Sequence, residues 1–375
     1  NYSFQEAVEH LAERAGIALP KQEYTREQKE AADLRSVLLK MHKDAALYYV
    51  HVLRTEEGKL GMEYLKRRNV SDEFIRAFGL GYAGMRPDAL YRYLKSKNYT
   101  DDEIRESGLV NIRENRITDR FWNRVIFPIM DANSRVIAFG GRVMGTGGPK
   151  YLNSPETKIF DKSRNLYGLN TARRTREKYM LVCEGYMDVI SLHQAGFTEA
   201  VASLGTAFTT DQARILKRYS PDVYLSYDSD GAGTKAAMRA IEIIRQFRVT
   251  GRIINMKPYK DPDEFIKNLG AGEFEKRMEE AEDSFLFQVH TVEKNYNTMD
   301  YAQKTRFHHE IAEFLAQMED PLERDNYLEA VSREYGIDQE HLRQAMGRAA
   351  LTLADKRERE ELRNSGPPRE SREDY

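Results

Sequence analysis

The run Tyr179-Met180-Leu181-Val182-Cys183-Glu184-Gly185-Tyr186-Met187-Asp188 decides the fold. Residues 179–183 are apolar without alternation, which suits a strand buried on both faces, and a helical pattern over 187–195 follows at once. Outward from this run the same texture repeats. It predicts strands over 200–203, 223–227 and 252–256, with helices over 209–218 and 232–248 between them. Strands alternating with helices imply a parallel sheet with right-handed crossovers, in which ligands meet the carboxyl ends of the strands.

Carboxylates follow those ends. Glu184 follows the first strand, with Asp188 four residues on. Asp228-Ser229-Asp230-Gly231-Ala232-Gly233 follows the third, and Asp261-Pro262-Asp263 lies a short spacer beyond the fourth. Taken singly, these are also a helix start, a turn and a loop. Taken together, they are acids converging on one sheet edge, where mutual repulsion calls for cations, and hard oxygen ligands suit Mg²⁺ or Mn²⁺. Glycines 185, 231 and 233 allow close approach of backbone.

The chain has 375 residues, with 58 Lys plus Arg against 60 Asp plus Glu. A net charge of −2 excludes a wholly basic nucleic-acid arm, so such affinity must be local. It is local: residues 113–178 hold 14 basic and six acidic side chains. Here short apolar runs, 125–129 and 136–139, flank the turn 131–134 and predict a hairpin. Tyr151, Phe121 and Trp122 read first as core and second as base-stacking groups. Upstream, the spacing predicts helices over 24–53 and 60–68, then one capped by Ser71.

Residues 274 onward are again helical by pattern, and 13 of the 21 residues from 355 to 375 are charged, which predicts a disordered linker. The expected layout is a remnant or linker helix at 1–23, a basic α+β subdomain at 24–170, the parallel-sheet domain at 171–272, a helical subdomain at 273–350 and the linker at 351–375. The single Cys183 sits in an apolar strand, excludes an internal disulfide or a four-cysteine zinc ribbon, and implies no zinc in this chain. With neither a membrane-length apolar stretch nor a signal-peptide pattern at its start, the sequence reads as cytoplasmic, without a membrane partner.

Glu184-Gly185-Tyr186-Met187-Asp188 with Asp228-x-Asp230-x-x-Gly233 resembles the Toprim signature shared by bacterial primases, topoisomerases and some nucleases. Arg120-Phe121-Trp122-Asn123-Arg124-Val125-Ile126-Phe127-Pro128-Ile129, Phe139-Gly140-Gly141-Arg142 and Lys150-Tyr151-Leu152-Asn153-Ser154-Pro155-Glu156-Thr157 resemble bacterial DnaG-type primase, and the likeness runs over roughly 35–345. The resemblance implies an α/β fold, a Toprim parallel sheet flanked by helices, with an N-terminal α+β basic subdomain and a C-terminal helical region.

It further implies a nucleotidyltransferase that makes short RNA primers from ribonucleoside triphosphates on single-stranded DNA, yielding an RNA–DNA hybrid. Carried over residue by residue, Glu184, Asp228 and Asp230 are catalytic. Those three with Asp263, Asp188 and Asp261 hold two or more Mg²⁺ or Mn²⁺ ions. Arg142, Lys150, Asn153, Lys162, Arg68, Arg120 and Arg124 bind nucleotide or template. The family's zinc ribbon and helicase-binding domain are expected to be missing from this chain, so the replicative helicase would be met through a domain outside it.

Two other readings share the acidic cluster: a non-catalytic Toprim nucleic-acid-binding or helicase-recruiting module, and a Toprim nuclease. A topoisomerase would need a tyrosine in a separate gate domain. Gly145-Thr146-Gly147-Gly148-Pro149 lacks the context of a phosphate loop and reads as a turn, and the adjacent His308 and His309 point to different helix faces.

Overall fold

The computed structural model describes residues 11–12, 14–15, 26–113, 116–145 and 148–364. The expected remnant at 1–23 and the last part of the linker therefore lie largely outside the described residues. The chain divides into two compact units, 1–282 and 283–375.

In the first unit a long helix, α1 (Arg26–Leu53), is followed by α2 (Lys59–Arg67) and α3 (Asp72–Ala77). Ser71 caps α3 as expected, its hydroxyl accepting from Phe74 N at 3.3 Å. Strand β1 (Gly81–Ala83), helices α4 (Ala89–Ser96) and α5 (Asp101–Ser107) and the hairpin β2 (Val110–Arg113) and β3 (Arg116–Asp119) come next. Then β4 (Arg124–Met130), β5 (Val136–Val143) and β6 (Tyr151–Asn153) join β1 in an antiparallel sheet of order β1-β4-β5-β6. The predicted hairpin is β4 and β5, with Pro128 facing Phe139.

After the short α6 (Leu169–Ala172) the alternation begins: β7 (Tyr179–Cys183), α7 (Tyr186–Gln194), β8 (Ala200–Ala202), α8 (Thr210–Lys217), β9 (Asp222–Ser226), α9 (Gly231–Arg245) and β10 (Thr250–Ile253). The strands run in the order β10-β9-β7-β8 and pair in parallel. Helices α10 (Pro262–Leu269) and α11 (Ala271–Glu279) follow.

The two subdomains expected on either side of residue 170 share one buried cluster. Phe127, Ile129 and Ile137 of the antiparallel sheet lie in it with Leu181, Cys183 and Tyr186. Phe127 and Tyr186 stack with ring centroids 5.1 Å apart. The core also reaches past the expected end at 272, because Phe274 of α11 is fully buried against Phe197 and Phe265.

The second unit is helical: α12 (Ser284–Glu293), α13 (Tyr301–Ala316), α14 (Pro321–Tyr335) and α15 (Gln339–Asn364). Helix α15 corrects the linker expectation for 351–364. Charge density alone argues for disorder, but Asp355 and Arg359, then Lys356 and Glu360, are spaced four apart, a helix-supporting arrangement, and no Gly or Pro interrupts before Gly366.

Candidate active site

The register brings the site together. Cys183 of β7 faces Ser226 of β9, so Glu184 and the loop 227–230 leave the sheet side by side. Glu184 Oε1 accepts from the backbone N–H of Asp228 at 2.9 Å. Asp228 Oδ2 lies 3.2 Å from Lys260 Nζ. Lys260 is held there by its backbone: its carbonyl accepts from Ser229 N at 2.7 Å and its N–H donates to Glu264 Oε2 at 2.8 Å.

Asp230 caps α9, one oxygen accepting from Ala232 N at 2.9 Å and Gly233 N at 2.8 Å. A Cβ at position 233 would fall 2.0 Å from the Asp228 carbonyl, so glycine is what lets the first turn of α9 fold onto the Asp228 loop. At 231 a Cβ meets nothing within 4 Å, and that expected role is absent. Asp261 caps α10 through Glu264 N at 2.8 Å, and Asp188 accepts from Gly185 N at 2.9 Å.

Burial raises Glu184 and Asp228 from their ordinary values and pushes Asp188 well above its own, with Asp261 and Asp228 adding repulsion at Asp188. Lys260 opposes the rise at Asp228 and is itself pushed up by that hydrogen bond.

Asp263 stands apart from this group in its partners. It is 3 % exposed, pairs with the guanidinium of Arg68, and accepts from Lys267 Nζ at 2.7 Å. Arg68, expected among the nucleotide or template contacts, is thus engaged by an acid from α10. Among the described residues no three His, Cys, Asp or Glu side chains are grouped closely enough to hold a metal ion as they stand. The donor chemistry nonetheless fits a hard divalent cation: oxygen ligands whose charged forms burial disfavours, with a lysine lying on one of them.

Across the shared core lies the basic sheet. Arg124 is buried, donating to the carbonyls of Gly141 and Pro149, both at 3.0 Å, so it pins the loop after β5. Burial first, then Arg142 and Arg120, push its pKa down. Arg120 donates to Asn153 O at 2.8 Å. Asn153 joins the two sheets: its Nδ2 donates to Leu204 O at 2.8 Å and its Oδ1 accepts from the Tyr186 hydroxyl at 2.6 Å. Lys150 is exposed, and Lys162 lies where its carbonyl accepts from Gln212 Nε2 at 3.1 Å. Phe121 is core, 1 % exposed, which removes it from the stacking candidates, whereas Trp122 is 49 % and Tyr151 36 % exposed.

Sequence reading missed Lys260 and Lys267. Lys267 was findable, four residues after Asp263 on one helix. Lys260 reaches Asp228 through the tertiary bond from Ser229 N to its carbonyl, which no local spacing encodes.

Acids gathered at the carboxyl edge of a parallel sheet, backed by a basic antiparallel sheet, define a Toprim-type α/β domain fused to a basic subdomain. The Toprim-like family matches residues 181–266, the N-terminal domain of the DNA primase catalytic core matches 48–173, and the DnaB-helicase binding domain of primase matches 285–340. The chain is 41 % identical over 340 residues to the DNA primase of Clostridium acetobutylicum, covering 90 % of this chain and 56 % of that protein. It is 32 % identical over 362 residues to that of Geobacillus stearothermophilus, covering 95 % and 60 %.

Among solved structures, the DnaG primase catalytic domain bound to ssDNA superposes with a TM-score of 0.74 at 33 % identity, covering 83 % of this chain and 99 % of that one. The Aquifex aeolicus primase, with its zinc-binding and RNA polymerase domains, gives 0.69 at 30 % identity, covering 91 % and 80 %. The chain belongs to the DnaG-type DNA primase family. It spans just over half the length of the curated relatives it matches. The match at 285–340 corrects the expectation that the family's helicase-binding part is missing here. Among the described residues no helix is long and apolar enough to cross a membrane.

Proposed function

We propose that this chain is the catalytic core of a DNA-dependent RNA primase, joining ribonucleoside triphosphates on single-stranded DNA into short RNA primers. The observation that carries this reading is the Asn153 link. It fastens β6, which begins one residue after the exposed Lys150, to Leu204 and to Tyr186, two residues beyond Glu184, and so ties the basic sheet to the acidic edge of the parallel sheet.

Glu184, Asp228 and Asp230 are the catalytic set and would hold Mg²⁺ or Mn²⁺, two or more ions, with Asp188 and Asp261 supporting them. When bound, divalent cations supply charge neutralisation at the triphosphate and a lowered pKa at the attacking 3′ hydroxyl. Glu184 keeps the Asp228 loop against β7. Asp230 fixes the start of α9. Lys260 offsets the charge of Asp228, a role that a bound divalent cation would share. Asp263, with Arg68 and Lys267, holds α10 to the segment after α2. Arg142, Lys150, Asn153, Lys162, Arg120 and Arg124 form or brace the surface for nucleotide and template, and the RNA–DNA hybrid leaves from it.

The replicative helicase is the partner of residues 285–340, and the protein works in the cytoplasm at the replication fork. The test is incorporation of labelled ribonucleotide on single-stranded DNA with Mg²⁺, with Mn²⁺ and with chelator. Metal-dependent product supports the reading. Binding without synthesis under all three conditions overturns it in favour of a non-catalytic module, and template cleavage in favour of a nuclease.

A further inference from the structure

Arg142 is held by aromatic rings. Its guanidinium carbon lies 5.7 Å from the centroid of the Tyr64 ring and 5.6 Å from that of Tyr151. Tyr151 is its cross-strand partner, β6 against β5. Tyr64 arrives from the last turn of α2 and is buried. One guanidinium N–H donates to Val143 O at 2.9 Å, and among the described residues no carboxylate pairs with Arg142. Arg120 and Arg124 stand near enough for Arg124 to feel both Arg120 and Arg142 electrostatically.

A guanidinium fixed by two rings loses rotamer freedom before any ligand arrives, while keeping its charge and its fork of donors for an anion. An acid in the same place would fix it equally well but would cancel the charge. Burial keeps the Tyr151 phenol protonated by pushing its pKa up, with Tyr64 adding to the shift, so this ring brings no negative charge to Arg142.

We propose that Tyr64 and Tyr151 are positioning residues that pre-organise Arg142 to bind a phosphate group of the incoming nucleotide or of the template. This rests on the primase reading for the identity of the ligand. The clamp itself is tested by binding alone. The experiment is a double-mutant cycle on the whole chain, using Tyr64→Leu, Arg142→Ala and the pair, with Tyr64→Phe and Tyr151→Leu alongside. Two quantities are read: affinity for a fluorescent single-stranded oligonucleotide across a salt series, and affinity for a ribonucleoside triphosphate by competition or calorimetry. Melting curves verify that each variant is folded.

Tyr64→Leu should weaken one of the two ligands by about ten-fold, the scale of a desolvated cation–π contact. Tyr64→Phe, which keeps the ring, should restore wild-type affinity. In the Arg142→Ala background, Tyr64→Leu should change nothing further. Loss confined to the oligonucleotide assigns the phosphate to the template, and loss confined to the triphosphate assigns it to the nucleotide. If Tyr64→Leu destabilises the fold, Tyr151→Leu, on the more exposed ring, takes its place in the cycle. Unchanged affinity in a folded variant, or losses that simply add to that of Arg142→Ala, overturns the clamp. Absent synthesis with an intact cycle would overturn the primase reading alone.

Discussion

The carboxylate of Glu184 receives the backbone N–H of Asp228 at 2.9 Å, so the acid ending one parallel strand is the acceptor for the loop ending its neighbour. Gln at 184 keeps an oxygen that can accept this bond. Glu184→Gln should therefore leave the melting temperature within a few degrees of wild type while ribonucleotide incorporation falls to background. A large drop in melting temperature with residual synthesis would make Glu184 a structural acid only.

Asp228 and Asp263 should answer neutralisation in opposite ways without metal. Burial already disfavours the charged form of Asp228, and its partner Lys260 is largely exposed, so Asp228→Asn should hold or raise stability. Asp263 sits between Arg68 and Lys267. Asp263→Asn leaves two partly buried cations short of their counter-charge, and should cost about 2–3 kcal/mol, below the full penalty for a buried pair because Arg68 is about one-third exposed. Added Mn²⁺ should stabilise wild type by mass action and Asp228→Asn less. Melting curves of the three proteins with and without Mn²⁺ check both signs.

Gly233 offers a sharper test of the loop. Alanine there would set a methyl 2.0 Å from the Asp228 carbonyl, closer than any real contact, so the loop or the start of α9 must move. Gly233→Ala should abolish synthesis and lower stability. Gly231→Ala, with open space around it, should do neither. Equal effects from the two variants would show that the close approach does not matter.

Much of this arrangement was legible in the residues, and the parts that were not have physical reasons. The apolar run 179–183 and the acids behind each strand placed Glu184, Asp228 and Asp230 at one edge, because a parallel sheet delivers successive strand ends to the same side. The Ser71 cap and the hairpin of β4 and β5 followed from local chemistry. What local sequence does not show is the long-range pairing. Asp263 looks like another strand-end acid, yet its partners are Arg68, 195 residues away, and Lys267 on its own helix. Arg124 reads as a nucleotide or template contact, and its guanidinium donates to the backbone carbonyls of Gly141 and Pro149. Residues 351–364 looked too charged to fold, and their charges instead have helix-supporting spacing.

Two buried histidines make the fold sensitive to acid. His42 and His193 are buried, and burial pushes both from 6.5 down to about 4. His42 Nδ1 sits 2.8 Å from Leu38 O, and His193 Nε2 sits 2.8 Å from Ala200 O, each ring packed against an aromatic side chain: Phe139 for His42 and Phe78 for His193. For a base whose folded pKa is depressed, folding favours the neutral form. Its contribution is complete above pH 6.5 and is lost as the pH falls through that value toward 4. Each histidine then withdraws about 3 kcal/mol across that window. Wild type should therefore lose stability steeply between pH 6.5 and 4. Gln at either position cannot charge, so His42→Gln and His193→Gln, though less stable at pH 7.5, should each show a shallower slope of melting temperature against pH. Slopes that match wild type in both variants would place the acid sensitivity in other groups.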